Sequence, residues 1–176
     1  MSLLILPTVE NAKDEVKDIY TQALNNFGMV PNGLRLWGVS PQKLKMQWGN
    51  MMNDMSKDPE NLKLKVIMRY ILANKDSCEY CIGFNKGMLM NMFKIEESVI
   101  DGLENDPSTA PLDEKHLALL LFSLRAYKDA HSIQKEDIDM LKKLGTTEEE
   151  IFDAVYAASY THVVNTLFET FNIEAD

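Results

Sequence analysis

The chain has 176 residues, 27 of them acidic and 18 basic, and only two cysteines. The net charge of −9 has no basic cluster within it, which excludes a phosphate-backbone footprint and disfavours anionic lipid. The length suits one domain, 1–176, with a core large enough to need no disulfide scaffold.

Periodicity is helical nearly throughout. Residues 1–7 are apolar but too short for a signal peptide, and they carry no basic n-region. No run approaches the ~18 apolar residues of a membrane span, so a cytoplasmic protein is expected. Val9, Ala12, Val16, Ile19, Ala23 and Phe27 draw one apolar stripe, which predicts a first helix over about 9–26 that stops at Gly28. Residues 29–39 hold Pro31, Asn32, Gly33 and Gly38 and read as a loop. Ser40-Pro41 reads as an N-cap followed by proline at the first helical position. The helix it opens carries Leu44, Trp48, Met51, Met52 and Met55. Pro59 separates it from a third helix over about 60–74.

Asp76 or Ser77 reads as the N-cap of a fourth helix that begins at Cys78-Glu79-Tyr80-Cys81 and runs to about residue 93. A short helix over 95–103 follows. Pro107 and Pro111 mark a linker. A sixth helix is expected over 113–128 and a seventh over 133–144, ended by Gly145. Thr147 with Glu150 three residues later is a capping box for the last helix, which extends to about 172. No alternating β-branched run is present, so the reading is an all-α bundle of about eight helices.

Both cysteines fall in the single CxxC. Residues three apart share a helical face, so the two sulfurs can meet. A helix N-terminus carries roughly half a positive charge, which favours thiolate. In a cytosolic setting such a pair points to redox work. Structural zinc needs about four ligands, and the chain offers no second CxxC; His116, His131 and His162 fall on other elements. Ile82 follows the motif where haem attachment requires histidine. A thioredoxin fold needs a strand before the motif, and a long helix is predicted there. Two cysteines packed in a core without chemistry is the remaining reading.

The ordered set Val30-Pro31-Asn32, Ser40-Pro41, Cys78-Glu79-Tyr80-Cys81, Asp129-Ala130-His131, Leu144-Gly145 and Asn165-Thr166-Leu167 resembles the alkylhydroperoxidase D-like / carboxymuconolactone decarboxylase superfamily, in its peroxidase-related branch. The resemblance covers about residues 8–173. It implies an all-α fold that assembles into homo-trimers or hexamers. It also implies peroxide reduction by the thiol pair, with Cys81 attacking, Cys78 resolving, an external dithiol protein as reductant, and no cofactor and no metal. In the resembled pattern a His stands four residues after the second Cys, and a Glu on the preceding helix completes a proton relay.

This sequence departs at both relay positions. Asn85 stands in place of the His; it keeps the i+4 geometry but cannot take a proton at neutral pH. The Glu position falls near Leu64 or Lys65, and neither is a carboxylate. General acid–base help is worth ~10²–10⁴-fold in rate, so its loss matters. Lys65 offers charge instead, against the simpler reading of a solvated lysine. Glu79 is expected to point away from the thiols. His131 reads as a capping or loop residue, His162 as partly buried, and His116, beside Asp113 and Glu114, as surface. Met88, Met90 and Met92 cannot all face one core, so at least one turns outward. Trp37 and Trp48 read as packing residues. The expected function is a thiol–disulfide redox protein acting through Cys78, Cys81 and Asn85 on peroxide or another small molecule. The alternative is a redox-inactive lactone-decarboxylase-like or ligand-binding protein on the same scaffold.

Overall fold

The computed structural model describes residues 2–176. Among them there are nine α-helices, two 3-10 turns and no strand. The chain forms two compact units, one of residues 2–57 and 167–176, the other of residues 58–166.

In the first unit, α1 spans Asp14–Phe27, α2 spans Asn32–Trp37 and α3 spans Pro41–Ser56. The first helix starts later than its apolar stripe predicts. Thr8 and Asn11 explain the delay: the Thr8 N–H donates to Asn11 Oδ1 and the Asn11 N–H to Thr8 Oγ1. These local bonds give the backbone an alternative to helix. Val9 is consequently exposed, while Val16, Ile19 and Ala23 are buried. Gly28, at φ 74°, closes α1 in the left-handed conformation that glycine adopts without strain.

The loop expected over 29–39 is instead interrupted by α2. Burial of Leu34, Leu36 and Trp37 outweighs the local signals of Gly33 and Pro31. A side chain at Gly38 would run into the Tyr20 hydroxyl, so glycine is required there for close approach. Trp37 and Trp48 are both buried in this unit, and Trp48 Nε1 donates to Gln22 at 3.0 Å. Arg35 ties the N-terminal segment down by donating to the Pro7 carbonyl at 3.0 Å, and Asn32 donates to carbonyls of Glu174 and Ala175.

The second unit contains α4 (Pro59–Asp76), α5 (Glu79–Asn91), α6 (Glu97–Gly102), α7 (Glu114–Lys128), α8 (Lys135–Lys143) and most of α9 (Glu148–Thr170). Its core is built from α4, with Leu64, Val66, Ile67, Met68, Ile71 and Leu72 fully or almost fully buried. Leu89, Ile100, Leu119, Leu120 and Ala158 from other helices pack in the same cluster. Met88 is half-buried against it, whereas Met90 and Met92 are exposed. The capping box of α9 is complete: the Glu150 N–H donates to Thr147 Oγ1, and the Thr147 N–H to Glu150. No helix of the described residues is long and apolar enough to cross a membrane.

One junction positions the thiols. α4 runs two residues further than its sequence predicts, to Asp76, and Ser77 ends it at φ 57°. The Cys78 N–H donates to the Ala73 carbonyl and the Ser77 N–H to the Asn74 carbonyl, which is a Schellman turn with serine in the left-handed position. That conformation costs a non-glycine residue ~1–2 kcal/mol. Glycine would release it, less the ~0.4–1 kcal/mol of extra freedom glycine has in the unfolded chain. Ser77→Gly is therefore expected to stabilise the protein by about 0.5–1 kcal/mol, read as a higher urea midpoint at unchanged slope; a lower midpoint would show that the serine side chain holds the turn.

Candidate thiol site

The helix that carries the motif begins at Glu79, one residue inside it. Asp76 and Ser77 belong to the end of α4, which corrects their reading as N-caps. Cys78 itself is the N-cap residue of α5, in extended conformation, and Cys81 is the third helical residue. Chain direction explains the correction: α4 needs the Schellman turn to stop, and the turn consumes both candidate caps. No disulfide joins the cysteines, and both are buried, Cys78 at 0% and Cys81 at 5% exposure. Both lie within the positive end of the α5 dipole.

Asn85 is buried on the same helix, one turn beyond Cys81. Its Nδ2 donates to the Cys81 carbonyl at 2.7 Å, and its Oδ1 is buried with no hydrogen-bond partner. The amide therefore braces the first turn of α5 rather than supplying a base. Tyr80, inside the motif, is buried and stacks on Phe84 with ring centroids 6.0 Å apart. Glu79 is exposed.

Lys65 is 8% exposed, which corrects the solvated reading; α4 is buried on more than one face, so even a lysine at this register is enclosed. It stands eleven residues before the end of α4, ~16 Å along the helix axis. Asp76, by contrast, is two residues from Cys78.

Asp76 is the centre of a polar cluster that sequence reading missed. Asn165 Nδ2 donates to Asp76 Oδ2 at 3.0 Å, and His162 Nδ1 lies 3.2 Å from the same oxygen. The Tyr127 hydroxyl lies 3.4 Å from both carboxylate oxygens and 3.3 Å from His162 Nδ1. Burial, and then the Asp76 carboxylate, raise the Tyr127 pKa, so the phenol stays protonated and donates. His162 is exposed, not partly buried as expected, with its side chain 62% accessible. The only sequence signal was Asn165 within the family-like Asn-Thr-Leu segment; nothing local tied it to Asp76.

His116 is buried, which corrects its surface reading. Asp113, the N-cap of α7, accepts from the His116 N–H and lies 2.8 Å from Nδ1, so the buried ring has one polar partner at the helix start. Among the described residues, Glu60, Asp113 and His116 place three metal-capable atoms within 4.8 Å of one another. The Lys63 ammonium already pairs with Glu60 at 2.9 Å, and neither cysteine takes part. His131 is exposed in a 3-10 turn capped by Asp129. An open recess in the first unit, lined by Ile5, Leu6, Asn11, Val16 and Pro41, includes none of these residues.

The architecture has solved counterparts. A protein described as uncharacterized and peroxidase-related, from Silicibacter sp. TM1040, superposes with a TM-score of 0.82 at 18% identity, over 99% of this chain and 92% of that one. The alkylhydroperoxidase AhpD core of Ralstonia eutropha JMP134, also described as peroxidase-related, gives a TM-score of 0.81 at 20% identity, with the same coverage of 99% and 92%. The chain has the alkylhydroperoxidase D-like fold. The apo form of the debrominase Bmp8 shows the same coverage at a TM-score of 0.69 and 18% identity. No protein-family model matches the chain, and no curated protein matches it by sequence. At these identities the likeness is one of fold, and the alkylhydroperoxidase D-like fold is what the sequence resemblance implied. The extra short helix α2 accounts for nine α-helices where about eight were expected.

Proposed function

We propose that the protein is a thiol–disulfide oxidoreductase that reduces peroxides, with a dithiol protein as electron donor. The observation that carries the reading is the placement of the chain's two cysteines around the first turn of α5, where the helix dipole favours thiolate. Cys81 thiolate attacks the peroxide; the O–O bond breaks, an alcohol or water leaves, and Cys81 becomes a sulfenic acid. Cys78 then attacks that sulfur, the S–O bond breaks, water leaves and a disulfide forms. The donor's two thiols reduce the disulfide by exchange. No cofactor is needed for these steps. On this reading the protein acts in the cytoplasm, and the resemblance implies that it does so as a homo-trimer or hexamer.

A second reading is favoured by the burial of both thiols and by Asn85 in place of a base. On it the protein is a redox-inactive ligand-binding or lactone-decarboxylase-like member of the scaffold. The fold is compatible with different chemistries, since one neighbour is named a debrominase. Peroxide consumption in the presence of a dithiol reductant separates the two readings. The redox reading expects turnover, with a thiol titrating below the ~8.5 of free cysteine. Thiols titrating at or above that value, with no turnover, would leave the second reading.

A further inference from the structure

The resolving step requires Cys78 to lose a proton, and neither position of the resembled relay can take it: Asn85 is an amide with no basic nitrogen, and Leu64 and Lys65 are not carboxylates. A different carboxylate–imidazole pair is centred on Asp76, two residues from Cys78 in the chain. Asp76 and Cys78 are two residues apart, so their Cα atoms are at most ~7.6 Å apart. The Schellman turn at Ser77 holds that relation rigidly.

The cluster around Asp76 is built as a unit. Its side chain is only 20% accessible, and three neighbours from two other helices converge on it: Tyr127 of α7, and His162 and Asn165 of α9. Asn165 is 1% exposed and donates also to the Leu72 carbonyl, so the carboxylate is fixed from below. His162 Nδ1 faces a carboxylate oxygen, an acceptor only, so in the neutral ring the proton sits on Nδ1 and Nε2 keeps its lone pair. The Tyr127 hydroxyl bridges carboxylate and ring. One end of the cluster adjoins Cys78 along the chain, and the other end, the His162 ring, opens to solvent. The flanking charges of α4 and α5, Lys75 and Glu79, are exposed.

We propose that Asp76 and His162, bridged by Tyr127 and anchored by Asn165, form the proton relay of the thiol pair, at a place in the fold different from the relay of the resembled family. This inference rests on the thiol reading proposed above. As Cys78 attacks the Cys81 sulfenic sulfur, the S–S bond forms and the S–O bond breaks. The Cys78 proton passes to the Asp76 carboxylate, which His162, Tyr127 and Asn165 hold in place, and the departing hydroxide takes that proton back to leave as water. Asp76 accepts the proton and His162 Nδ1 holds the carboxylate at 3.2 Å, so loss of either disables the acceptor.

The test isolates Cys78 in the full chain carrying Cys81→Ser and follows its exchange with a small neutral disulfide. The pH range brackets free histidine (~6.5) and free cysteine (~8.5). Adding D76N or H162Q is expected to slow exchange at neutral pH by about tenfold or more, with the rates converging on the parent's above the free-thiol pKa, where solvent removes the proton unaided. Profiles that superimpose would overturn the relay. So would a loss of equal size at every pH, since that is the mark of a structural role. H162Q alters an exposed side chain and carries the test if D76N fails to fold. Because exchange does not involve peroxide, a wild-type chain that consumes no peroxide would overturn the peroxide reading and leave this result standing.

Discussion

Replacing Cys81 by serine is expected to reduce peroxide consumption to the background of the reductant alone. Serine is close in shape but has no accessible anion at neutral pH, and the reaction needs a thiolate to attack the O–O bond. The fold should survive, because Cys81 contributes one small buried side chain to the start of α5 and the substitution removes no large apolar group. Cys78→Ser is the informative partner. It leaves the attacking thiol in place and removes the resolving one, so a single peroxide should be reduced and Cys81 should stall as sulfenic acid. Mass spectrometry of the peroxide-treated chain reads this as one added oxygen. Sulfenic acid at Cys78 in the Cys81→Ser chain, with a single peroxide reduced, would reverse the two roles.

Asn85→His is expected to raise the peroxide rate at neutral pH by at least tenfold. A positioned general base is worth ~10²–10⁴-fold, and the present side chain supplies none. The geometry favours the exchange. Asn85 lies one turn from Cys81, buried, with Oδ1 lacking any hydrogen-bond partner. A histidine there would keep one ring nitrogen in reach of the Cys81 carbonyl, where Nδ2 now donates at 2.7 Å. Steady-state peroxide consumption with excess dithiol donor, compared across pH, measures the effect. An unchanged rate with an intact fold would show that proton removal at Cys81 does not limit the reaction. Combined with H162Q, the variant also reports whether an added base at position 85 compensates for loss of the Asp76–His162 pair.

The parts of this protein that were legible in the sequence are those set by neighbours within a turn or two. Helical class followed from apolar spacing. The Thr147–Glu150 capping box formed as read, because both of its bonds span three residues. The face shared by Cys81 and Asn85 needed only the helical repeat, and the missing base at position 85 needed only the identity of one residue. The same local logic failed where two local signals competed. Asp76 and Ser77 are good N-caps by type, yet the turn that stops α4 claimed them first. At the first helix, Thr8 and Asn11 bonded to each other's backbone and delayed the start.

Tertiary structure decided what depends on residues far apart in sequence. α2 exists because Leu34, Leu36 and Trp37 have a core to enter, which no local rule around two glycines reveals. His116 and Lys65 are buried because their helices are covered on more than the face their apolar stripes mark. The cluster at Asp76 joins it to His162 and Asn165, 86 and 89 residues away, and its existence rests on the packing of α9 against α4. Composition and spacing determined that both cysteines lie in one helical CxxC without the usual base beside it. Only the packing of three helices could determine that a carboxylate and an imidazole meet two residues from Cys78, because hydrogen bonds across such separations are set by the path of the whole chain.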